Sequence, residues 1–491
     1  MVLAVIRGDW WFLSAIFVFR LSVIAIPATI LLTDPDSYLT LAKQFAASGT
    51  YGFADTNGAV QPTAFRPPLY PAVIALTIKF FGQPSVIAIG ILHSLLATCS
   101  AAFLLLIGRR LAVPYTSLVA IMFSLDPLLV RQSQLLMTET LATTVALLSW
   151  WLCIQAYEVL EDKNSLVRKK SLLLIVALIA GMSFGIATLT RPTAIIWLGL
   201  ILMTFLAQVI STSAIFTGAA FTSMRAERSA RVQVIAAMLI GSMTIIAPWM
   251  IRNQITIGKP IWATTHGGYT LLLANNPILY DHLASGSLSR DWDEDRFHKL
   301  WANRDKMDPM SEDFWHQEMS IKQNVATGAS GLSIDPFPNR DEKSNEMSNN
   351  NLNLHLHREI IEDQLAQKVA IATMRERPAI AVWSTVVRLG WLWTPLPNPR
   401  PNSSSKWVIC IWYLGLYGLA LLGAYKLGAA NKSLPWFIGW LLVLSVTMVH
   451  AVYWSNMRMR APALPMLYLL AGWALPYIWS AISKRKASVK P

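Results

Sequence analysis

The stretch LLTDPDSYLTLAKQFAASGTYGF (Leu31 to Phe53), followed closely by FRPPLYP (Phe65 to Pro71), decides how the rest of the chain is read. It follows an apolar run from Trp10 to Leu32, long enough to cross a bilayer, which takes about 20 residues. Asp34 and Asp36 fall where that run should leave the hydrocarbon, and Arg66 stands where the chain returns to it. A charge costs about 2.5–3.5 kcal/mol at the centre of a membrane helix and much less near its ends. An acid and a cation are therefore cheap to keep at this boundary, and they are placed to act on a lipid-linked substrate.

Outward from this stretch, apolar runs recur along the chain. Of its 491 residues 54% are hydrophobic and 14% charged, whereas a soluble protein carries about 25% charged residues. This is an all-α polytopic membrane protein, with spans expected near 10–32, 84–107, 112–131, 136–157, 172–189, 193–211, 232–250, 406–426, 434–453 and 461–481. The first run is too long for a signal-peptide core and reads as a retained helix. The net charge of +13 does not point to nucleic acid. Its basic residues cluster after every second span, at Arg109 and Arg110, Arg168 to Lys170, Arg225 to Arg231, Lys426 and Lys432, and Lys484 to Lys486. By the positive-inside bias both termini are cytoplasmic. Cys99, Cys153 and Cys410 lie inside apolar runs, with neither disulfide nor metal spacing.

The same bias settles residues 378–396, an apolar segment that would reverse the last cluster if it crossed the membrane. Arg388 interrupts it and Trp383, Trp391 and Trp393 suit an interface, so it reads as an interfacial or re-entrant helix. Three modules follow. Residues 1–251 form an N-terminal transmembrane unit with a first outer loop at 33–83. Residues 252–378 form an extracytoplasmic loop with an Asn- and Ser-rich insertion, expected without fixed structure, at about 329–356. Residues 379–491 carry the interfacial helix and the last spans.

The outer face holds the chemistry. One of Asp34 and Asp36 is expected to cap the helix that begins near Ser37, with Asp36 favoured as the cap and Asp34 as the reactive group. Arg66 precedes paired prolines that keep its backbone extended. Arg252, in APWMIRNQITIGKP, lies on the outer side against the positive-inside bias. Glu139, in LLMTETLA, needs a cation so near hydrocarbon, and Arg131 and Arg191 are at hand. Arg191, Arg458 and Arg460 each stand just outside a proline-started helix. Together these arginines form a positive outer ring suited to a lipid phosphate. Tyr38, Tyr70 and His266 are further substrate-binding candidates. In RDWDEDRF, Asp291 and Asp293 read as a solvated face rather than a metal pair. A divalent cation is possible, but no ligand spacing demands one.

Four patches, in order, carry a family resemblance: DPDSYLTLA with SGTYGF and RPPLYP; LLMTETLA; APWMIRNQITIGKP with THGGYTLLLANNP; and RMRAPALPMLYLLAG. The chain resembles the GT-C glycosyltransferases, in the bacterial branch related to protein O-mannosyltransferases and lipid A aminoarabinose transferases (glycosyltransferase family 39-like). The resemblance implies a bundle of about 10 transmembrane helices with outward-facing juxtamembrane helices. It implies transfer of a sugar, with inversion, from a polyprenyl-phosphate donor to a glycan, lipid or protein acceptor outside a bacterial inner membrane. Carried over residue by residue, Asp34 matches the family's catalytic carboxylate, Arg66 and Arg252 its phosphate ligands, and Glu139 the acid of its second outer loop, where many relatives use Asp. The alternative is a transporter or flippase for polyprenyl-linked glycans. That reading needs polar groups through the bilayer middle, where the expected spans offer only Arg20, and no internal repeat supports inverted halves.

Overall fold

The computed structural model describes residues 9–25, 31–55, 57–162, 170–211, 220–317, 350–397 and 405–488. Most of the Asn- and Ser-rich insertion lies outside them. The chain opens with α1 (Trp10–Ala25), then α2 (Tyr38–Ser48), a small antiparallel hairpin of β1 (Gly52–Ala54) and β2 (Val60–Pro62), and α3 (Leu69–Phe81). Next come α4 (Val86–Arg110), α5 (Thr116–Ser124), α6 (Pro127–Ser133), α7 (Glu139–Glu161), α8 (Lys170–Thr190), α9 (Ala194–Ser211) and α10 (Ala220–Ile257). Five helices follow before the last spans: α11 (Gly267–Ala274), α12 (Pro277–Ala284), α13 (Glu294–Ala302), α14 (Glu312–His316) and α15 (Asn350–Glu376). The chain finishes with α16 (Pro378–Trp393), α17 (Ser405–Leu427), α18 (Leu434–Val452), a 3-10 segment (Met457–Ala463) and α19 (Leu464–Ser488).

Among the described residues eight helices are long and apolar enough to cross a membrane: α4, α7, α8, α9, α10, α17, α18 and α19 with its 3-10 lead-in. α1 is apolar but shorter. The protein is an all-α, multi-pass membrane protein. One large core joins α1, α4 to α10 and α16 to α19; a second, rich in tryptophan, joins α11 to α16.

Helix α8 lies against α10 at backbone contact. A Cβ on Gly181 would stand 2.1 Å from the Met238 carbonyl oxygen, and one on Gly241 would stand 2.1 Å from that of Leu178. Small residues on facing helices permit this approach in a membrane, where packing takes over from the hydrophobic effect. Gly181→Ala should therefore cost about 1–3 kcal/mol through overpacking. It should lower the unfolding temperature of the purified protein in detergent. Gly199→Ala, which meets nothing within 4 Å, is the control that should not.

The stretch 112–131, expected as one span, is instead two short helices. They break at Asp126–Pro127, where proline offers no N–H and disfavours helix in the residue before it. Asp126 caps α6 by accepting from the Leu129 N–H at 2.9 Å. It also accepts from the hydroxyls of Tyr413 at 2.9 Å and Tyr468 at 2.7 Å. Three donors thus satisfy a wholly buried carboxylate. Arg20 is also buried; it reaches Ser133 Oγ at 3.4 Å and feels the charge of Asp126.

Arg388, which interrupts the apolar run of α16, points into the protein. It is buried, and donates to the carbonyls of Ala274 at 2.6 Å and Ala451 at 2.8 Å and to Ser384 Oγ at 2.5 Å. It ties α16 to α11 and α18.

Candidate active site

The DPDSY turn separates its two acids. Ser37 sits in the left-handed region, at φ 62°, which reverses the backbone before α2. Asp34 Oδ1 accepts from the Leu39 N–H at 2.9 Å, and its Oδ2 accepts from the N–H of Thr40 at 2.7 Å and the Thr40 hydroxyl at 2.8 Å. Asp34 is therefore the carboxylate that satisfies the orphan donors of α2. The expectation that Asp36 caps is corrected, because the turn at Ser37 points Asp36 the other way, into a cluster of arginines.

Arg66 meets Asp36 twice, with Nη2 2.9 Å from Oδ1 and Nε 3.0 Å from the main-chain carbonyl. Its guanidinium lies over Phe65 at 4.7 Å and Tyr38 at 5.5 Å, and Tyr51 braces its carbonyl at 3.0 Å. Arg458, on the 3-10 segment, joins the two acids. Its Nη2 is 3.7 Å from Asp36 and its Nε 3.6 Å from Glu139. Arg191, at the end of α8, places Nη1 3.5 Å from Glu139. Three cations and two carboxylates converge from four separate parts of the chain, leaving one positive charge in excess.

Several hydrogen-bonding atoms here remain open. Glu139 Oε2, Arg191 Nη1 and Arg458 Nε are buried without a hydrogen-bond partner. Unsatisfied buried polar atoms are costly, and their concentration at one place suits a ligand that completes them. Burial alone would raise the Asp36 carboxyl, but Arg66, Arg458 and Arg191 together hold it below the ordinary carboxylate value. Asp36 is ionised at neutral pH. His266 lies 4.6 Å from the Phe65 ring. Burial, and then the charge of Arg66, push it well below the usual histidine value, so it is neutral there.

The remaining candidates are placed differently. Arg252 donates to the carbonyls of Thr63 at 2.8 Å and Tyr51 at 2.6 Å and lies over Trp249; it clamps the first outer loop to α10. Arg460 is fully buried, donates to the carbonyls of Leu392 and Thr394, and lies 4.2 Å over Tyr413. It is not part of an outer ring. Tyr70 is buried, with its hydroxyl 2.9 Å from His93 Nε2. Tyr38 packs edge-on against it at 5.3 Å. Asp293 of the Asp-x-Asp string caps α13, accepting from the Arg296 N–H at 2.9 Å.

Two acids of α15 escaped the sequence reading. Glu359 accepts from the hydroxyls of Thr63 at 2.7 Å and Thr265, and from the Ala64 N–H at 3.2 Å. Asp363 accepts from the Gly268 N–H at 2.6 Å. Burial raises both carboxyls, Asp363 to about 6. A Cβ on Gly268 would stand 1.9 Å from the Asp363 carbonyl oxygen, which is why a glycine is needed there. The signal was present as two acids at i and i+4 on one helix face. Among the described residues no three His, Cys, Asp or Glu side chains converge to hold a metal, and Asp36 and Glu139 face arginines.

No family model and no curated protein matches the chain. It is similar to solved structures of an archaeal oligosaccharyltransferase, AglB from Archaeoglobus fulgidus. One holds an inhibitory peptide and a dolichol-phosphate, at TM-score 0.47 and 10% identity over 98% of this chain and 52% of that one. Another is tethered to an acceptor peptide, at TM-score 0.48 and 11% identity over 98% and 51%. It is also similar to ArnT from Cupriavidus metallidurans bound to undecaprenyl phosphate, at TM-score 0.35 and 12% identity over 98% and 81%. The chain spans about half the length of the oligosaccharyltransferases. At these identities no residue role passes from one chain to another.

Proposed function

We propose that the protein is a membrane glycosyltransferase that moves a sugar from a polyprenyl-phosphate donor to an acceptor on the extracytoplasmic side of a bacterial inner membrane. The observation that carries this reading is the convergence of Arg66, Arg191 and Arg458 on Asp36 and Glu139, with one positive charge in excess and open N–H groups. A sugar joined to a lipid through one phosphate is a monoanionic diester, so it matches that excess. Arginine suits it because its planar fork offers several donors to phosphate oxygens.

In this mechanism the acceptor oxygen or nitrogen attacks the anomeric carbon. The bond from that carbon to the phosphate oxygen breaks, and its electron pair leaves with the polyprenyl phosphate. Arg66, Arg191 and Arg458 stabilise the charge that grows on the phosphate. Asp36, the more accessible of the two acids, orients the acceptor and takes its proton. Its basicity rises as the bound phosphate draws the arginines' field away. Glu139 acts through Arg191 and Arg458 and is a positioning residue. Asp34 acts through the turn that aims Asp36. The stable anion departs without a general acid.

Membranes from cells with and without the chain should differ in one polyprenyl-phosphate sugar, read by mass spectrometry. That species should accumulate when the chain is absent and be consumed when purified protein is added. If no lipid-linked sugar changes while glycan distribution across the membrane does, the transporter reading takes its place.

A further inference from the structure

Arg290 takes no part in the cluster just described. Its guanidinium is stacked on two indoles, 5.7 Å from the ring of Trp391 on α16 and 5.7 Å from that of Trp454, four residues before Arg458. The two rings lie edge to face at 6.1 Å and form one wall. Among the described residues Arg290 has no hydrogen bond and no ion pair, and its Nε is buried. Two acids, Glu294 and Asp291, act on it through charge without an ion pair, and Glu294 is turned to His298 Nε2 at 3.6 Å. The like charge of Arg458 acts directly on Arg290. Trp454 brings Arg290 to the segment that carries Arg458, and like charges in a partly buried site repel each other. The indole faces recover part of that cost through cation–π attraction, yet the buried Nε–H is left with nothing to bond.

We propose that Arg290, on the Trp391–Trp454 wall, forms with Arg458 a second oxyanion subsite, which takes a phosphate-type group adjacent to the one held at Asp36 and Glu139. It rests on the reading above only for the identity of the neighbouring group. The subsite itself follows from an unpaired guanidinium clamped on two rings, one of them four residues before another cation. A phosphate of this kind comes either from the enzyme's own substrates, as a second phosphate on the donor or an acidic group on the acceptor, or from an anionic lipid headgroup.

The test uses the full chain in non-ionic detergent, with inorganic phosphate and pyrophosphate as probes and unfolding temperature as the readout, at constant ionic strength set with chloride. Wild type should be stabilised by both anions, and pyrophosphate should bind more tightly because it spans both subsites. Arg290→Gln should weaken pyrophosphate by about tenfold or more and bring it close to phosphate. Arg290→Lys should recover only part, since the charge returns without the stacked fork. Equal binding of pyrophosphate to wild type and Arg290→Gln, with both proteins equally stable without anion, overturns the proposal. A variant that fails to fold is replaced by Trp454→Leu, which removes the wall and keeps the charge; unchanged pyrophosphate binding there overturns it equally. Repeating the titration in nanodiscs with and without phosphatidylglycerol separates the sources. Loss of the Arg290-dependent effect only with the anionic lipid assigns the subsite to a headgroup, and its persistence assigns it to substrate. Neither result depends on sugar transfer, so the subsite and the proposed activity stand or fall separately.

Discussion

Asp36→Asn should reduce sugar transfer by about 10²–10⁴-fold, the range a positioned proton acceptor contributes, while Asp34→Asn should act chiefly on stability. Asparagine at position 36 is nearly the same size but carries no charge. It leaves Arg66 without its ion-pair partner at 2.9 Å and cannot take a proton from the acceptor. At position 34 the side chain already uses both oxygens on the Leu39 and Thr40 donors. Loss of such a cap costs about 0.5–2 kcal/mol, and asparagine is itself a competent cap. Asp34→Asn should therefore keep most transfer at low temperature and lose it on warming, as α2 frays and Asp36 drifts. The measurement is initial rate of transfer from a purified lipid-linked donor, with unfolding temperature recorded for each variant. The opposite ranking, with Asp34→Asn inactive yet stable and Asp36→Asn active, would sink the assignment of Asp36.

This ranking reverses what the sequence suggests, and the reason is local. Both acids lie within three residues of Ser37, and the spacing alone lets either one cap the helix. The outcome turns on a left-handed Ser37, a conformation uncommon outside glycine and asparagine and invisible in the string DPDSY. Elsewhere the sequence carried more. Apolar run length located the long spans, because that requirement comes from bilayer thickness and not from tertiary detail. The pairing of Glu139 with Arg191 was also legible, since a carboxylate at the edge of hydrocarbon needs a cation nearby. Arg252 and Arg460 were harder. Their long-range acceptors are main-chain carbonyls of Tyr51, Thr63, Leu392 and Thr394, which carry no side-chain signature. A guanidinium outside a proline-started helix looks the same whether it serves a ligand or a loop. The break at Asp126 had a readable sign in its following proline. The surrounding apolar residues hid it, because the tyrosines that satisfy Asp126 come from two later helices.

Among the described residues Arg458 is the one cation that reaches both carboxylates, so removing it should change two properties together. Arg458→Gln should lower kcat/KM for the donor by about 10²–10³-fold, as expected when one preorganised donor to a developing oxyanion is lost. It should also move the acid limb of the pH profile upward. In the wild type burial opposes ionisation of Asp36, and Arg66, Arg458 and Arg191 outweigh it, holding the carboxyl below its ordinary value. Activity that needs ionised Asp36 therefore persists until the pH falls through that depressed value. Without Arg458 the burial term remains and Glu139 is left facing Asp36 with less between them, so the carboxyl rises and activity is lost at a higher pH. Stability follows the same sign. The ion pairs stabilise the folded state above the unfolded carboxylate value, about 3.9 for Asp, and this is lost as the pH falls through the folded one. In the variant the loss begins earlier on acidification. Arg458→Lys restores a charge but not a fork, so it should return most of the acid limb and only part of the rate. An acid limb that stays in place in Arg458→Gln, whatever the loss in rate, would show that Arg458 binds substrate without governing Asp36. The carboxylate that sets the profile would then have to be sought outside this cluster.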